Sequence, residues 1–88
     1  MKTSSLKYHS LLLLWRIRDD LNPDGFTCTE IVEEGFITTD SHAVSSSTLF
    51  ARGVRRLGYL IQEGMVERID GTRDHYRVTE FGRDVNAD

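Results

Sequence analysis

The sequence predicts one small α+β domain, mostly helical, with three helices, a two-stranded β hairpin and a short last helix. Three observations carry this. An 88-residue chain buries only about 60 to 65% of the surface it exposes when unfolded, so a second core would be too small to hold and residues 1–88 form a single domain. Apolar residues recur at helical spacing before Pro23 and again beyond Ser46. Asp70-Gly71 sits between two short segments of strand-forming residues, and Asp-Gly supplies the positive φ of a tight hairpin turn.

The elements follow in order. Ser4 and Ser5 can cap a first helix running to about Leu21, where Asn22-Pro23-Asp24-Gly25 turns the chain. Thr27 and Glu30 have the spacing of a capping box, in which a hydroxyl and a carboxylate each satisfy one orphan amide at a helix start. That second helix closes at Gly35. Residues 36 to 46 read as a polar connection, with Asp40, Ser45 or Ser46 able to cap a third helix; Ser46 is the expected cap. The third helix extends to about Glu63, and Gly64 ends it in the left-handed conformation. Met65 to Ile69 and His75 to Val78 are the strands of the hairpin. Thr79 caps a last short helix containing Phe81 and Val85, and residues 86–88 read as a tail.

Composition narrows the function. No apolar run approaches the roughly 18 residues of a membrane span, so no membrane partner is expected. The N-terminal segment lacks the small-residue cleavage site of a secretory signal, which points to a cytoplasmic protein. Cys28 is the sole cysteine, expected as a small buried apolar group. Net charge is −3, but its distribution is uneven. From Ser47 to Arg77 six arginines face four acidic residues, whereas the remainder carries five basic and ten acidic residues. Such polarity can present one basic face to a polyanion while the acidic remainder limits indiscriminate binding.

The third helix concentrates this pattern. At roughly 100° per residue, Phe50, Val54, Leu57 and Ile61 form an apolar side expected to seat it on the core. Thr48, Arg52, Arg55 and Tyr59 fall opposite, offering donors suited to base edges or phosphates in a major groove, and Arg56 lies between stripe and core, where a phosphate contact is expected. Ser47 joins them at the helix start. At the hairpin tip, Arg73 can enter a minor groove and Thr72 can bond a phosphate, while Asp70 and Asp74 either orient Arg73 or neutralise it. Arg68 and Arg77 should face away from the core. Gly53 and Gly58, inside the third helix, are expected to permit close packing of another helix.

Val54, Leu57, Leu60, Gly64, Met65, Val66 and Arg68 resemble the recognition-helix and first-wing-strand signature of many bacterial and archaeal regulators. His75-Tyr76-Arg77-Val78-Thr79-Glu80-Phe81-Gly82 resembles the end of the wing in PadR-like and MarR-like families, and Ser47-Thr48-Leu49-Phe50 is similar to the segment opening the PadR recognition helix. The resemblance spans about residues 26 to 83. It implies a winged helix-turn-helix regulator of transcription that binds double-stranded DNA in the nucleoid, with residues 47–63 in the major groove and the wing at 65–78. The connection before the third helix is longer than usual for that resemblance, and the long C-terminal dimerisation helix of PadR proteins is missing. The alternative is a winged-helix module that binds protein and not DNA.

Catalysis finds no support in the residues. His9, His42 and His75 fall on separate elements without metal-ligand spacing, Glu33 and Glu34 read as a solvated surface, and no glycine-rich phosphate loop occurs. The reading is therefore of a non-enzyme with no cofactor and no metal. The first helix adds a partner. Leu6, Leu13, Leu14, Ile17 and Leu21 should pack under Phe26, Leu57 and Ile61, leaving Tyr8, Leu11, Leu12 and Trp15 as an outward apolar patch. Such a patch is expected as a homodimer interface, unless Phe81 and Val85 fold over it.

Overall fold

A computed structural model describes residues 2–37 and 45–85. Most of the polar connection, with Asp40 and His42, and the tail at 86–88 lie outside the described residues. The elements are α1 (Lys2–Asp20), β1 (Phe26–Thr27), α2 (Cys28–Glu33), α3 (Ser46–Gln62), β2 (Val66–Arg68), β3 (His75–Val78) and α4 (Glu80–Asp84). The architecture is α+β, with four helices and one small antiparallel sheet in the order β1-β3-β2 among the described residues. None of the described helices is long and apolar enough to cross a membrane.

Local chemistry explains most boundaries. Helix α1 already runs at Lys2, so Ser4 and Ser5 lie within it and not at its cap. After its last turn, Asn22 Oδ1 accepts from the Asp24 amide at 3.0 Å, closing the turn that the Asn-Pro-Asp-Gly run announces. The capping box of α2 forms in full: Glu30 N donates to Thr27 Oγ1 at 3.0 Å, and Thr27 N donates to Glu30 Oε1 at 2.9 Å. Helices α2 and α3 end alike, with Gly35 at φ 77° and Gly64 at φ 79°. Beyond each glycine the chain doubles back, Phe36 N to Ile31 O at 3.0 Å and Met65 N to Leu60 O at 2.8 Å. Helix α3 is capped by Ser45, one residue before the expected Ser46, because the Ser45 hydroxyl accepts from the Thr48 amide. Thr79 caps α4 as its position suggests.

Strand β1 was not anticipated. Two residues are too few to show alternation, and they become a strand only because β3 lies beside them, Phe26 opposite Tyr76 and Thr27 opposite His75. The Phe26 and Tyr76 rings stack with centroids 5.9 Å apart. Strands β2 and β3 form the expected hairpin, Val66 opposite Val78, with Gly71 at φ 80° in the turn. Helix α3 packs on both α1 and α2.

The core is Leu13, Leu14 and Ile17 of α1, Phe26, Cys28, Ile31, Phe36 and Ile37 around α2, Leu57 and Leu60 of α3, and Val66, Tyr76 and Val78 of the sheet. Leu21 is half-buried and packs against it, Leu6 is half-buried, and the Ser10 side chain is fully buried with no hydrogen-bond partner for its hydroxyl among the described residues. Two expectations need correction here. Leu11 packs against the core and so does not belong to an outward patch. On α3, Phe50, Val54 and Ile61 are 38%, 44% and 38% exposed, so of the four residues expected to seat the helix only Leu57 is buried. The seat is instead Leu49, Gly53, Leu57 and Leu60.

Gly53 is the reason. A Cβ there would stand 3.0 Å from Cys28 Sγ and 3.5 Å from Ile37 Cδ1, so the bare backbone of α3 is what meets α2. A count of apolar side chains scores glycine as neutral, yet close approach at this point rolls the buried arc of α3 toward its arginine flank. Gly58, by contrast, faces open space and permits no close packing.

Candidate nucleic-acid interface

The roll of α3 sorts the expected contact residues into two groups. Ser47, Thr48 and Arg55 stay exposed, together with Ala51 and Gly58. Arg52, Arg56 and Tyr59 are half-buried, and Tyr59 packs against the core, so Arg52 and Tyr59 do not lie opposite it as the helical wheel suggests, while Arg56 keeps its expected place between stripe and core. Around the helix start, the Ser45 hydroxyl lies 3.1 Å from Ser47 Oγ and 2.9 Å from Thr48 Oγ1, which fixes both hydroxyls at the mouth of the helix.

Charge on the arginine flank is concentrated. Among the described residues no carboxylate pairs with Arg52 or Arg55; the ion pairs are Arg16 with Asp20, Arg77 with Glu67 and Arg83 with Asp24. The pKa of Arg56 is pushed down, first by burial and then by the positive charge of Arg52. Arg52, Arg55 and Arg56 share a cleft with Ser5, Leu6 and His9 of α1, a juxtaposition of the first and third helices that no local spacing reveals.

The β2–β3 hairpin is less suited to DNA than its sequence suggests. Thr72 Oγ1 donates to Ile69 O at 2.6 Å, and Thr72 N to the same carbonyl at 3.3 Å, so the Thr72 hydroxyl proton closes the turn and cannot be given to a phosphate. Arg73 is exposed and forms no ion pair with Asp70 or Asp74 among the described residues, so neither carboxylate orients it. Asp74 is half-buried and its charge instead reaches Cys28, whose thiol is pushed up to about 11, mainly by burial. Arg68 and Arg77 do face solvent, but Arg77 Nε is held by Glu67 at 2.6 Å and the Arg68 guanidinium stands 5.9 Å from the Tyr76 ring centroid.

The chain matches no family model, no curated protein and no solved structure.

On α1, Tyr8 is 62% exposed. Leu12 and Trp15 are half-buried and line a second cleft, of about 310 Å³, with His9, Arg16 and Phe36. The Arg16 guanidinium caps the Phe36 ring at 4.5 Å. Of the two C-terminal residues expected over this patch, Phe81 is 56% exposed, while Val85 packs against the core and its carbonyl accepts from Arg18 Nη1 at 2.6 Å.

Proposed function

We propose that this chain is a winged helix-turn-helix module that binds double-stranded DNA to regulate transcription, with α3 in the major groove and the β2–β3 hairpin at the backbone or minor groove. The observation that carries the reading is the outward face of α3. Arg55 stands exposed there without a carboxylate partner among the described residues, ringed by Ser47, Thr48, Ala51 and Gly58. Small neighbours let a helix axis approach the groove floor, and a guanidinium fork fits the O6 and N7 of guanine. Three helices followed by the β2–β3 hairpin support this reading, and strand β1, paired with β3, adds to the two-stranded hairpin that the sequence suggests. Arg52 and Arg56, recessed on the flank, suit backbone phosphates better than bases, and Arg73 is the hairpin residue best able to reach DNA.

The test is duplex binding, by fluorescence anisotropy, to sites selected from a random library. Arg55→Ala should weaken the preferred site by about 1–3 kcal/mol, with less effect on mixed-sequence duplex. Wild-type affinity should fall with salt at a log-log slope of roughly −4 to −5 if about four to six phosphates are neutralised. Unchanged affinity in folded Arg55→Ala refutes the placement of α3.

A second reading, a protein-binding module, is favoured by one observation: Phe50, Val54 and Ile61 form an exposed apolar stripe along α3. Phe50→Glu should abolish partner binding under that reading. A homodimer through Tyr8, Leu12 and Trp15, without Leu11, is supported by the exposed ring of Tyr8 beside the half-buried Leu12 and Trp15; sedimentation of wild type against Trp15→Glu decides it.

A further inference from the structure

The solvent-facing arc of α3 has two unlike edges. Ser47, Ala51 and Gly58 are exposed along its middle, Thr48 and Arg55 along one edge, and Phe50, Val54 and Ile61 along the other. Val54 and Arg55 are neighbours in the chain and so stand about 100° apart around the helix axis, with the small Ala51 and Gly58 between them. Helix α3, Ser46–Gln62, carries three arginines and no aspartate or glutamate. A polyanion disfavours carboxylates on the surface it meets and is indifferent to methyl groups, whereas a protein partner imposes no such exclusion. An acid-free arc with one polar and one apolar edge suits the floor of a major groove, where guanine offers O6 and N7 and thymine offers its C5 methyl group. Phe50 and Val54 lie in the first half of α3, the part that meets base edges when a helix enters the groove. Ile61 lies seven residues beyond Val54, about 10 Å further along the axis.

We propose that Phe50 and Val54 are specificity residues that read thymine, their side chains resting on C5 methyl groups beside the guanine taken by Arg55. The preferred duplex then carries thymine at fixed positions next to that guanine, and it is selected by methyl contact as well as by hydrogen bonds. This deepens, and rests on, the placement of α3 in the major groove. It gives the exposed apolar edge a ligand: water leaves Phe50 and Val54 only when a methyl group covers them, so the contact rewards thymine over cytosine or uracil at the same position. Ile61 lies beyond the stretch of α3 that reaches bases and takes no part.

The experiment takes the full chain and its preferred duplex, selected from a random library, and replaces each thymine in turn by deoxyuridine. The exchange removes one methyl group and leaves base pairing and backbone charge unchanged. At one or more fixed thymines affinity should fall about fourfold, the worth of burying one methyl-sized group. In Val54→Ala and in Phe50→Ala the thymine-to-uracil ratio should drop towards one at the thymine each side chain covers, while Ile61→Ala keeps the wild-type ratio. Coupling between a protein change and a DNA change separates direct contact from a general loss of affinity. The wild-type series needs no substituted protein, so the outcome does not depend on the folding of a variant. A ratio of one at every thymine, a selected site with no fixed thymine, or an undiminished ratio in both Val54→Ala and Phe50→Ala overturns the reading of methyl groups. Salt-dependent duplex binding that persists in those cases leaves the placement of α3 standing. Absence of any duplex binding overturns both and leaves the whole stripe, Ile61 included, to a protein partner.

Discussion

Alanine at Gly53 and at Gly58 should act in opposite directions, although both glycines lie inside α3 and neither has positive φ. In a helix interior alanine is favoured over glycine by about 1 kcal/mol, and that gain is common to both sites. At Gly58 the new methyl meets nothing within 4 Å, so the whole gain is realised. For a domain of this size, 1 kcal/mol corresponds to a rise in Tm of about 4–8 °C. At Gly53 the methyl would lie 3.0 Å from Cys28 Sγ and 3.5 Å from Ile37 Cδ1, and both partners are buried. Nonbonded carbons settle at about 3.5–4.0 Å, so α2 must retreat, and overpacking of this kind costs about 1–3 kcal/mol. The net effect is a change between about zero and 2 kcal/mol of destabilisation. Urea and thermal unfolding of both variants measure it, and Gly53→Ala combined with Cys28→Ala should recover part of the loss, because removing Sγ opens the space. If Gly53→Ala stabilises as much as Gly58→Ala, α2 does not approach α3 at this point and the rolled face of α3 is wrong.

Two further predictions concern groups sealed in the core and at the C-terminal cap. The raised pKa of Cys28, about 11 against an ordinary 9, means that the folded chain holds the thiol proton after the unfolded chain has released it. Its contribution is intact below about pH 9 and is lost as pH rises toward 11. Wild type should therefore lose stability more steeply than Cys28→Ala across that window, by roughly 1 kcal/mol per pH unit; parallel pH profiles from urea unfolding would show the thiol to be solvated. At Gly82 a Cβ would fall inside the Met65 carbonyl oxygen and 2.9 Å from Val78 Cγ1, so Gly82→Ala should displace α4 and break the bond from Thr79 N to Met65 O, at a cost of about 2 kcal/mol or more. Hydrogen exchange at the Thr79 amide reads this directly, and unchanged protection in the variant would refute it.

What the amino-acid sequence determined by itself was local. The capping box of Thr27 and Glu30, the left-handed stops at Gly35 and Gly64, the Asp70-Gly71 turn and the Thr79 cap each act over a span of a few residues, so chemistry along the chain suffices to place them. The arginine cluster of α3 was equally visible as a run of like charge. Tertiary structure alone decided which arc of α3 faces inward. Helical periodicity reports that one side is apolar, but the buried arc is set by what stands opposite, and here a glycine admits α2 so closely that Phe50, Val54 and Ile61 turn to solvent while Arg52 and Arg56 turn toward α1. The same logic made β1 a strand through its neighbour β3, packed Leu11 against the core, and used the Thr72 hydroxyl to close the turn. The cleft formed by Ser5 and His9 with three arginines joins segments more than forty positions apart, and no periodicity within either helix encodes their meeting.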